Sequence, residues 1–418
     1  GNGMLRSITT TSAAGLLVVA LASMSVVAGG SASGHDLLSD LRTEEVQAGV
    51  LRVVGDEFRD LPTEAAWRVA AGLDDSVWLL SQDRALRLGR EGSIDWPADK
   101  GEADLTWWAP ASDGDLHGLA SNADDEWFVA SIEGPDSEPR FTPYDEGLEP
   151  YSLMPDGRAW AHRVEDDMLT YSLSRLDDDR WVEVVADLDV AGPQVTAAGE
   201  LWLGSGFPFP LETPELRRFA DGEWAYFAAP ERTPSHGWTV GPDGTAWTWA
   251  LYPIGYPDSA FLARLKDGVW TSWERDDLPP FDEMQYWLDT SVAPDGALWV
   301  AAPVWVSSMN NKVRRCRGVT RFDGRTTTTY LDDHCVQSLS ISPDGSVWLR
   351  ANEAGRNGRR SQQAPFHTYV ITPAAATDPS VADDEAVGRR NDPTFFSPGR
   401  EPWTGVVLPG QIPLAPAK

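Results

Sequence analysis

The segment Pro343-Asp344-Gly345-Ser346-Val347-Trp348 decides the fold, because its pattern returns along most of the chain. Close or looser copies of this Pro-Asp-Gly-x-x-Trp unit end at six other tryptophans, which are Trp78, Trp127, Trp160, Trp202, Trp247 and Trp299. Successive tryptophans of this set are 49, 33, 42, 45, 52 and 49 residues apart. Periods of roughly 40 to 50 residues are typical of the four-stranded blades of a β-propeller.

Each copy of the unit predicts two strands joined by a tight turn. Proline presets φ, aspartate caps the turn with its side chain, and glycine accepts a positive φ. In most copies a second half-unit follows, such as Leu216-Arg-Arg-Phe-Ala-Asp-Gly-Glu-Trp224, which predicts a third strand, an Asp-Gly hairpin turn and a fourth strand. The sequence therefore predicts an all-β fold, a single propeller of seven four-stranded blades. Six blades are the alternative, because only 33 residues separate Trp127 from Trp160.

The ends of the repeat region predict how the ring closes. The last copy offers only three strands, of which His367 to Ile371 is the third. Because an open sheet edge invites aggregation, we expect Val50 to Phe58 to supply the missing outer strand from the other end of the chain. Residues 34–372 are thus assigned to the propeller. Residues 373–418, rich in Pro, Ala and Asp without periodicity, are predicted to be a disordered tail.

Residues 1–33 have the pattern of a secretory signal peptide. One basic residue, Arg6, precedes an apolar run from Ala13 to Gly29, and small residues follow it. Since the run is nearly long enough to cross a bilayer, an uncleaved membrane anchor is the alternative. Both interpretations place the propeller outside the cytoplasm, where Cys316 and Cys335 can form one disulfide.

The charge of the chain limits its partners. A formal net charge of −30 repels phosphate backbones, which argues against nucleic-acid binding. The sequence contains no nucleophile elbow, no HExxH motif, no phosphate-binding Gly-rich loop and no paired-cysteine metal spacing. We therefore expect no cofactor and no bound metal.

Loop length indicates which face carries function. The turns after the first and third strands are short, whereas the connections after the second and fourth strands are long and fall on the opposite rim. Long loops on a rigid scaffold are where binding usually resides. We call this side the long-loop rim, and expect a glycan, a small polar ligand or a surface protein to bind there. The candidate ligand-binding residues at this rim and at the mouth of the central channel are His117, Tyr151, Gln194, His236, Trp238, Tyr252, Tyr256 and Trp305.

The paired half-units resemble the repeat of the two-component-regulator propeller family. The resemblance rests on Gly199-Glu-Leu-Trp-Leu-Gly-Ser205 with the half-unit that ends at Trp224, and on Asp295-Gly-Ala-Leu-Trp-Val-Ala-Ala302. It covers roughly residues 70–372. It implies an extracytoplasmic sensing propeller, a class that often recognises glycan fragments.

The Pro-Asp-Gly-x-x-Trp unit also resembles that of the virginiamycin-lyase-like propellers. Those continue Trp-Phe-Thr-Glu, whereas here the tryptophans are followed by Leu-Gly, Thr-Trp, Val-Ala or Leu-Arg, with no glutamate. Elimination needs a general base near a metal or an acid, and His117 and His236 are the candidates. A non-catalytic binding or sensing propeller is therefore the first hypothesis. A propeller enzyme, a lyase or a glycan hydrolase acting at the channel mouth, is the alternative.

Overall fold

The computed structural model describes most of the region that was assigned to the propeller. It covers residues 37–54, 68–72, 74, 76–81, 84–88, 93–95, 104–111, 115–122, 124, 126–132, 137–153, 158–164, 171–188, 193–196, 198–204, 215–228, 237–250, 261–274, 289–301, 304–308, 311–316, 318–354 and 365–374. The predicted signal peptide or anchor and almost all of the predicted tail lie outside these residues. Within them, no helix has the length and apolar character needed to cross a membrane.

The described chain begins with a four-residue helix, α1 (Leu37–Asp40), followed by two strands, β1 (Thr43–Gln47) and β2 (Val50–Val53). These two strands precede the first blade in sequence but belong to the last one. Seven antiparallel sheets then form the ring, one sheet for each blade. The number of blades predicted from the repeat is thus confirmed as seven.

Blades 1 to 3 each contain four strands, which follow one another in chain order from the channel outwards. Blade 1 consists of β3 (Arg68–Ala71), β4 (Val77–Leu80), β5 (Arg84–Arg87) and β6 (Ser93–Asp95). Blade 2 consists of β7 (Asp104–Pro110), β8 (Leu116–Ser121), β9 (Trp127–Ile132) and β10 (Arg140–Pro143). Blade 3 consists of β11 (Glu149–Leu153), β12 (Ala159–Val164), β13 (Tyr171–Asp177) and β14 (Arg180–Leu188).

Blades 4 to 6 repeat this order, with one insertion. Blade 4 consists of β15 (Gln194–Val195), β16 (Leu201–Gly204), β17 (Glu215–Ala220) and β18 (Glu223–Ala228). Blade 5 consists of β19 (Gly237–Val240), β20 (Ala246–Ala250), β21 (Phe261–Lys266) and β22 (Val269–Glu274). Blade 6 consists of β23 (Asp289–Val292), β24 (Leu298–Ala301), β27 (Val319–Phe322) and β28 (Thr327–Tyr330), with a separate hairpin inserted, β25 (Val304–Ser308) and β26 (Asn311–Arg315).

Blade 7 joins the two ends of the propeller. From the channel outwards it contains β29 (His334–Ile341), β30 (Val347–Glu353) and β31 (His367–Ile371), and then β2 and β1. Strand β2 pairs antiparallel with β31, with Leu51 opposite Val370. The predicted closure by the segment that starts at Val50 is therefore confirmed. The fifth strand, β1, was not predicted.

In six of the seven blades a repeat tryptophan on the second strand fills the space between that blade and the next. Trp348 of blade 7, for example, clusters with Val69 and Leu79 of blade 1. These side chains are among the most deeply buried in the molecule; those below 2% exposure include Trp160, Trp202, Trp247, Trp299 and Trp348. A large aromatic side chain on this strand thus supplies much of the apolar area at these blade interfaces.

An arginine on the third strand lies directly opposite the repeat tryptophan in five blades. The pairs are Trp78 with Arg87, Trp160 with Arg175, Trp202 with Arg218, Trp247 with Arg264 and Trp299 with Arg321. In the first four pairs the guanidinium carbon lies 5.4, 5.8, 5.8 and 5.5 Å from the indole centroid, within cation–π range. The arginine of the second half-unit therefore covers the tryptophan of the first.

Blade 2 departs from this pattern, and the prediction of its repeat copy was wrong. The turn between β7 and β8 closes with a hydrogen bond from Ala111 N to Asp115 O, which matches the bond from Ser342 N to Ser346 O in blade 7. In blade 7 the repeat tryptophan, Trp348, is two residues after Ser346, whose carbonyl oxygen accepts that bond. In blade 2 this position is His117, so the copy of the unit ends at His117 rather than at Trp127, and the sequence Ser-Asp-Gly at 112–114 takes the place of Pro-Asp-Gly.

Strand pairing supports the same assignment of His117. It pairs with Ala109 of the innermost strand, as Trp348 pairs with Ser340 in blade 7. With His117 in the series, the spacings on either side become 39 and 43 residues, and the short interval that suggested six blades disappears. Trp127 instead begins β9, the third strand, and blade 2 keeps all four strands.

The closing strand offers a direct stability test. Val50 is fully buried on β2, whereas Val46 on the neighbouring β1 is 42% exposed. We expect Val50→Ala to lower the free energy of unfolding by about 2 kcal/mol, because it removes buried methyl groups and leaves a cavity. Val46→Ala, the matched control, should change it by less than about 0.5 kcal/mol. Urea unfolding followed by tryptophan fluorescence measures both, and equal effects would contradict the closure.

Candidate functional site

Each innermost strand is an edge strand, so some of its backbone N–H groups have no partner within its own sheet. Around the channel, side chains of the neighbouring blade accept hydrogen bonds from these N–H groups. Between blades 7 and 1, Val69 N donates to Ser338 Oγ and Ala71 N donates to Ser340 Oγ, both at 2.9 Å. Each serine thus satisfies one backbone donor of the next innermost strand. Burial of those donors without a partner would destabilise the ring.

The same two positions are used at other blade interfaces. Between blades 6 and 7, Leu339 N donates to Asp289 Oδ2 at 2.8 Å, and Asp289 occupies the position that Ser338 has one blade later. Between blades 4 and 5, Val240 N donates to Gln194 Oε1 at 3.2 Å, while Gln194 Nε2 donates to the Trp238 carbonyl oxygen at 2.9 Å. Gln194, a predicted ligand-binding residue, is therefore a bridge between two blades.

Two opposite charges lie at the channel mouth on the long-loop rim. Arg68 is the first residue of β3 and Asp289 is the first residue of β23, so each begins an innermost strand where a long connection ends. Blade 7 lies between them, and the two side chains interact electrostatically across it. Both keep some accessible surface, as expected for residues beside a narrow channel, although protein surrounds them.

The electrostatics of this pair are unusual for surface residues. Burial raises the pKa of the Asp289 carboxyl from its ordinary 3.8 to about 7, against the opposing effects of the Leu339 N–H, Arg68 and the Thr290 N–H. Burial lowers the pKa of Arg68 to about 10, against the attraction of Asp289. The guanidinium therefore stays charged at neutral pH, while Asp289 is close to its midpoint. Perturbed titratable groups of this kind are concentrated at functional sites.

Neither Arg68 nor Asp289 is among the candidate residues predicted from the sequence, although both lie on the rim where those candidates were placed. The signal for Asp289 was present, since it begins the short strand that precedes a Pro-Asp-Gly turn. Nothing in the sequence near Arg68 distinguishes it from the other arginines of the chain.

The other predicted site residues do not gather at one place in the described structure. Trp238 is 7% exposed and packs over Gly204 of blade 4, so it belongs to the interface between blades 4 and 5. His117 lies on the second strand of blade 2, in the position of a repeat tryptophan, rather than on the innermost strand. Tyr151 and Trp305 lie on β11 and β25, whereas the remaining three, His236, Tyr252 and Tyr256, fall outside the described residues.

The predicted disulfide is confirmed. Cys316 and Cys335 are bonded, with their Cα atoms 4.6 Å apart, and the bond ties the segment before β27 to the second residue of β29. Next to it, Gly318 N donates to the His334 carbonyl oxygen at 2.9 Å with a φ of +60°. A Cβ at Gly318 would overlap the carbonyl oxygen of Tyr330, so only glycine fits there.

The described residues contain no group of three or more His, Cys, Asp and Glu side chains that is arranged to hold a metal ion. The nearest arrangement to a catalytic relay in the described residues leads from the exposed Asp333 to a buried tyrosine of blade 7. There Asp333 Oδ1 is 2.5 Å from His334 Nδ1, and His334 Nε2 is 3.1 Å from Tyr369 Oη. Tyr369 is only 1% exposed, so this chain of hydrogen bonds satisfies a buried hydroxyl rather than presenting it to a substrate.

Neither a known protein family nor a curated protein sequence matches this chain. Among solved structures, the chain is similar to YCF48 bound to D1 peptide, with 12% sequence identity and a TM-score of 0.43. The match covers 74% of this chain and 94% of that one. The β-propeller domain of the Trilobed protease from Pyrococcus furiosus is 15% identical with a TM-score of 0.41, covering 61% of this chain and 80% of that one.

A third similar structure is the extracellular domain of a hybrid two-component system from B. thetaiotaomicron, at 8% identity and a TM-score of 0.39. The match covers 74% of this chain but 39% of the other protein. Similarities this distant carry no argument about activity. The assignment of a seven-bladed propeller rests on the strand pairing of this chain itself.

The raised pKa of Asp289 predicts a dependence of stability on pH. Between about pH 4 and pH 7 the folded protein holds a proton on Asp289 that the unfolded chain has lost, so this group makes stability fall as pH rises. Asp289→Asn removes that term while its amide oxygen can still accept from Leu339 N. We expect the variant to match the wild type near pH 4 and to be the more stable of the two above pH 7. Urea unfolding across this range measures the difference, and parallel curves would contradict the assignment.

The disulfide predicts a second effect on stability. Joining residues 19 positions apart restricts the unfolded chain, which contributes about 3 kcal/mol on the chain-entropy estimate. The double variant Cys316→Ser, Cys335→Ser should lose about that much, and addition of reductant should bring the wild type to the same value. If reductant leaves the urea midpoint of the wild type unchanged, the bond does not stabilise the fold.

Proposed function

We propose that this protein is a non-catalytic binding or sensing propeller outside the cytoplasm, which takes a glycan or another small polar ligand at the channel mouth on the long-loop rim. The observation that carries this proposal is the pair Arg68 and Asp289. A rigid ring holds one hydrogen-bond donor group and one acceptor group at the first residues of two innermost strands. Few, convergent polar groups in a concave site are typical of small-molecule binding.

The chemistry of the pair suits a hydroxyl-rich ligand. A guanidinium only donates hydrogen bonds, and an ionised carboxylate only accepts them. A sugar hydroxyl can do both, so neighbouring hydroxyl groups of one ring can donate to Asp289 and accept from Arg68. Both protein groups are largely desolvated before the ligand arrives, which strengthens each contact relative to one in water.

Export is proposed on two grounds. The bond between Cys316 and Cys335 is of a kind that persists in oxidising compartments. The second ground is the signal-peptide pattern of residues 1–33, which the proposal keeps as a signal peptide or membrane anchor. Residues 34–372 remain the propeller and residues 373–418 a tail. It also retains a surface protein as an alternative partner on the same rim, and no nucleic acid, because of the net charge of −30.

Asp289 also favours a second function, an enzyme acting at the channel mouth. A general acid or base works best when its pKa is near the operating pH, and that of Asp289 is raised to about 7. A lyase or glycan hydrolase would use this carboxyl for proton transfer and Arg68 to stabilise developing negative charge. The two functions differ in turnover: an enzyme converts the bound ligand, and a binding protein releases it unchanged.

Binding of a panel of neutral oligosaccharides to the full chain tests this proposal. We expect at least one to bind, and Arg68→Met to weaken that binding by about tenfold or more, because charged hydrogen bonds are lost. Arg87→Met is the matched control, since Arg87 packs on Trp78 and pairs with Asp74 at the opposite rim. Isothermal titration calorimetry gives the affinities, and chromatography of the recovered ligand detects conversion.

Equal binding by the wild type and Arg68→Met would remove the channel mouth from the proposal. Conversion that Asp289→Asn abolishes would establish the enzyme instead.

A further inference from the structure

A second site is indicated in blade 7 by Arg350, away from the pair at the channel mouth. Arg350 lies on β30, two residues beyond the repeat Trp348 in the direction of the long-loop rim. Its neighbours across the sheet are Ser338 on β29 and Thr368 on β31. All three side chains are buried, and Arg350 itself is only 4% exposed.

The contacts of Arg350 leave its charge without a counter-ion in the described part of the chain. Its Nη1 donates to Thr368 Oγ1 at 3.4 Å, and its guanidinium lies 5.9 Å from the centroid of the Phe366 ring. Among the described residues no carboxylate forms an ion pair with it within 4.0 Å, and its Nε has no hydrogen-bond partner. A buried charge left in this way destabilises the fold unless a ligand neutralises it.

Arg321 shows how this fold treats an arginine of similar burial. It is 6% exposed, and its Nη2 is 2.6 Å from Asp295 Oδ2, with Asp323 as a second acceptor at 3.5 Å. The chain carries 64 acidic residues against 34 basic ones, so acidic partners are abundant. Arg350 differs from Arg321 because no carboxylate of the described residues lies within ion-pair distance of it.

Charges of both signs act on the residues around Arg350. Burial lowers the pKa of the neighbouring His367 and the charges of Arg52 and Arg350 lower it further, while Glu353 acts in the opposite direction. The charge of Arg52 is offset by Glu44, whose Oε2 is 2.6 Å from Arg52 Nη2. Burial lowers the pKa of Arg350 to about 10, so it still carries its proton at neutral pH. Arg350, unlike Arg52, therefore has no carboxylate within ion-pair distance in the described part of the chain.

We propose that Arg350 anchors a binding site for an oxyanion, the carboxylate or phosphate group of a small ligand, at the long-loop end of blade 7. The Nε edge of a guanidinium and the adjacent Nη present two parallel donors, which match two oxygens of such a group. Thr368 and Ser338 place hydroxyl groups beside it. This site goes beyond the proposed function and does not depend on Arg68 or Asp289.

The test uses the full chain and three probes: glucuronate, inorganic phosphate and, as the neutral match of glucuronate, glucose. Sodium chloride at equal ionic strength controls for screening. We expect glucuronate or phosphate to raise the melting temperature of the wild type, and glucose to leave it unchanged. The anion that acts identifies the group, a carboxylate or a phosphate. Calorimetry should show that Arg350→Met weakens this binding by about tenfold or more.

Stability without any anion separates a binding role from a structural one. Arg350→Met removes an uncompensated buried charge and should leave the melting temperature unchanged or higher. Arg321→Met, the matched control, should lower it because Asp295 loses its partner, yet should keep the response to the anion. Arg350→Lys retains the charge without the paired donors, and provides a folded variant with weakened binding if the methionine variant does not fold.

Two results would overturn this proposal. One is the absence of any shift with either anion in the wild type, or an equal shift in Arg350→Met. The other is a loss of stability in Arg350→Met as large as that in Arg321→Met, which would assign Arg350 to packing. Asp289→Asn should bind the anion as the wild type does, so failure at the channel mouth and failure here remain distinguishable.

Discussion

The contact between a second-strand tryptophan and the following blade is the interaction on which the ring depends. Each indole is enclosed on one side by its own blade, where an arginine covers it in several blades, and on the other by the apolar strands of the next. Because every blade needs a neighbour to bury this surface, no blade is stable alone and the last must meet the first. Blade 2, with His117 in place of the tryptophan, is the exception that the ring tolerates.

Closing the ring brings innermost strands edge to edge around the channel, and their unpaired N–H groups then need acceptors. Serine, glutamine and aspartate side chains of one blade supply them to the next. The polar character of these strands is therefore largely structural, and only some of it is available to a ligand. Asp289 combines this structural role with the proposed binding role, since one oxygen accepts from Leu339 N while the carboxyl also interacts electrostatically with Arg68.

Ring closure also concentrates unusual chemistry in blade 7 and its neighbours. Blade 7 takes its outer strands from the start of the chain, receives the disulfide through Cys335, and holds Arg350. Both proposed sites lie on the long-loop rim, where connections are free to differ from blade to blade because they carry no part of the repeating core. The opposite rim is fixed by the repeated Asp-Gly turns, which leave less room for variation.

The sequence by itself determined the repeat and the all-β class, because both depend on local turn chemistry and periodic burial. It also determined the closing strand at Val50, because the last copy lacks a strand, and the disulfide, because the chain has only two cysteines. Even so, it assigned the blade 2 copy to Trp127, since a histidine at the repeat position hides the unit from a search for tryptophan. Only the tertiary structure decided which polar residues bridge blades and which meet at the channel mouth. Arg68 and Asp289 are distant in sequence and interact because the ring closes between them. Arg350 is distinguished by having no carboxylate within ion-pair distance among the described residues, a property of three-dimensional packing that no stretch of sequence encodes.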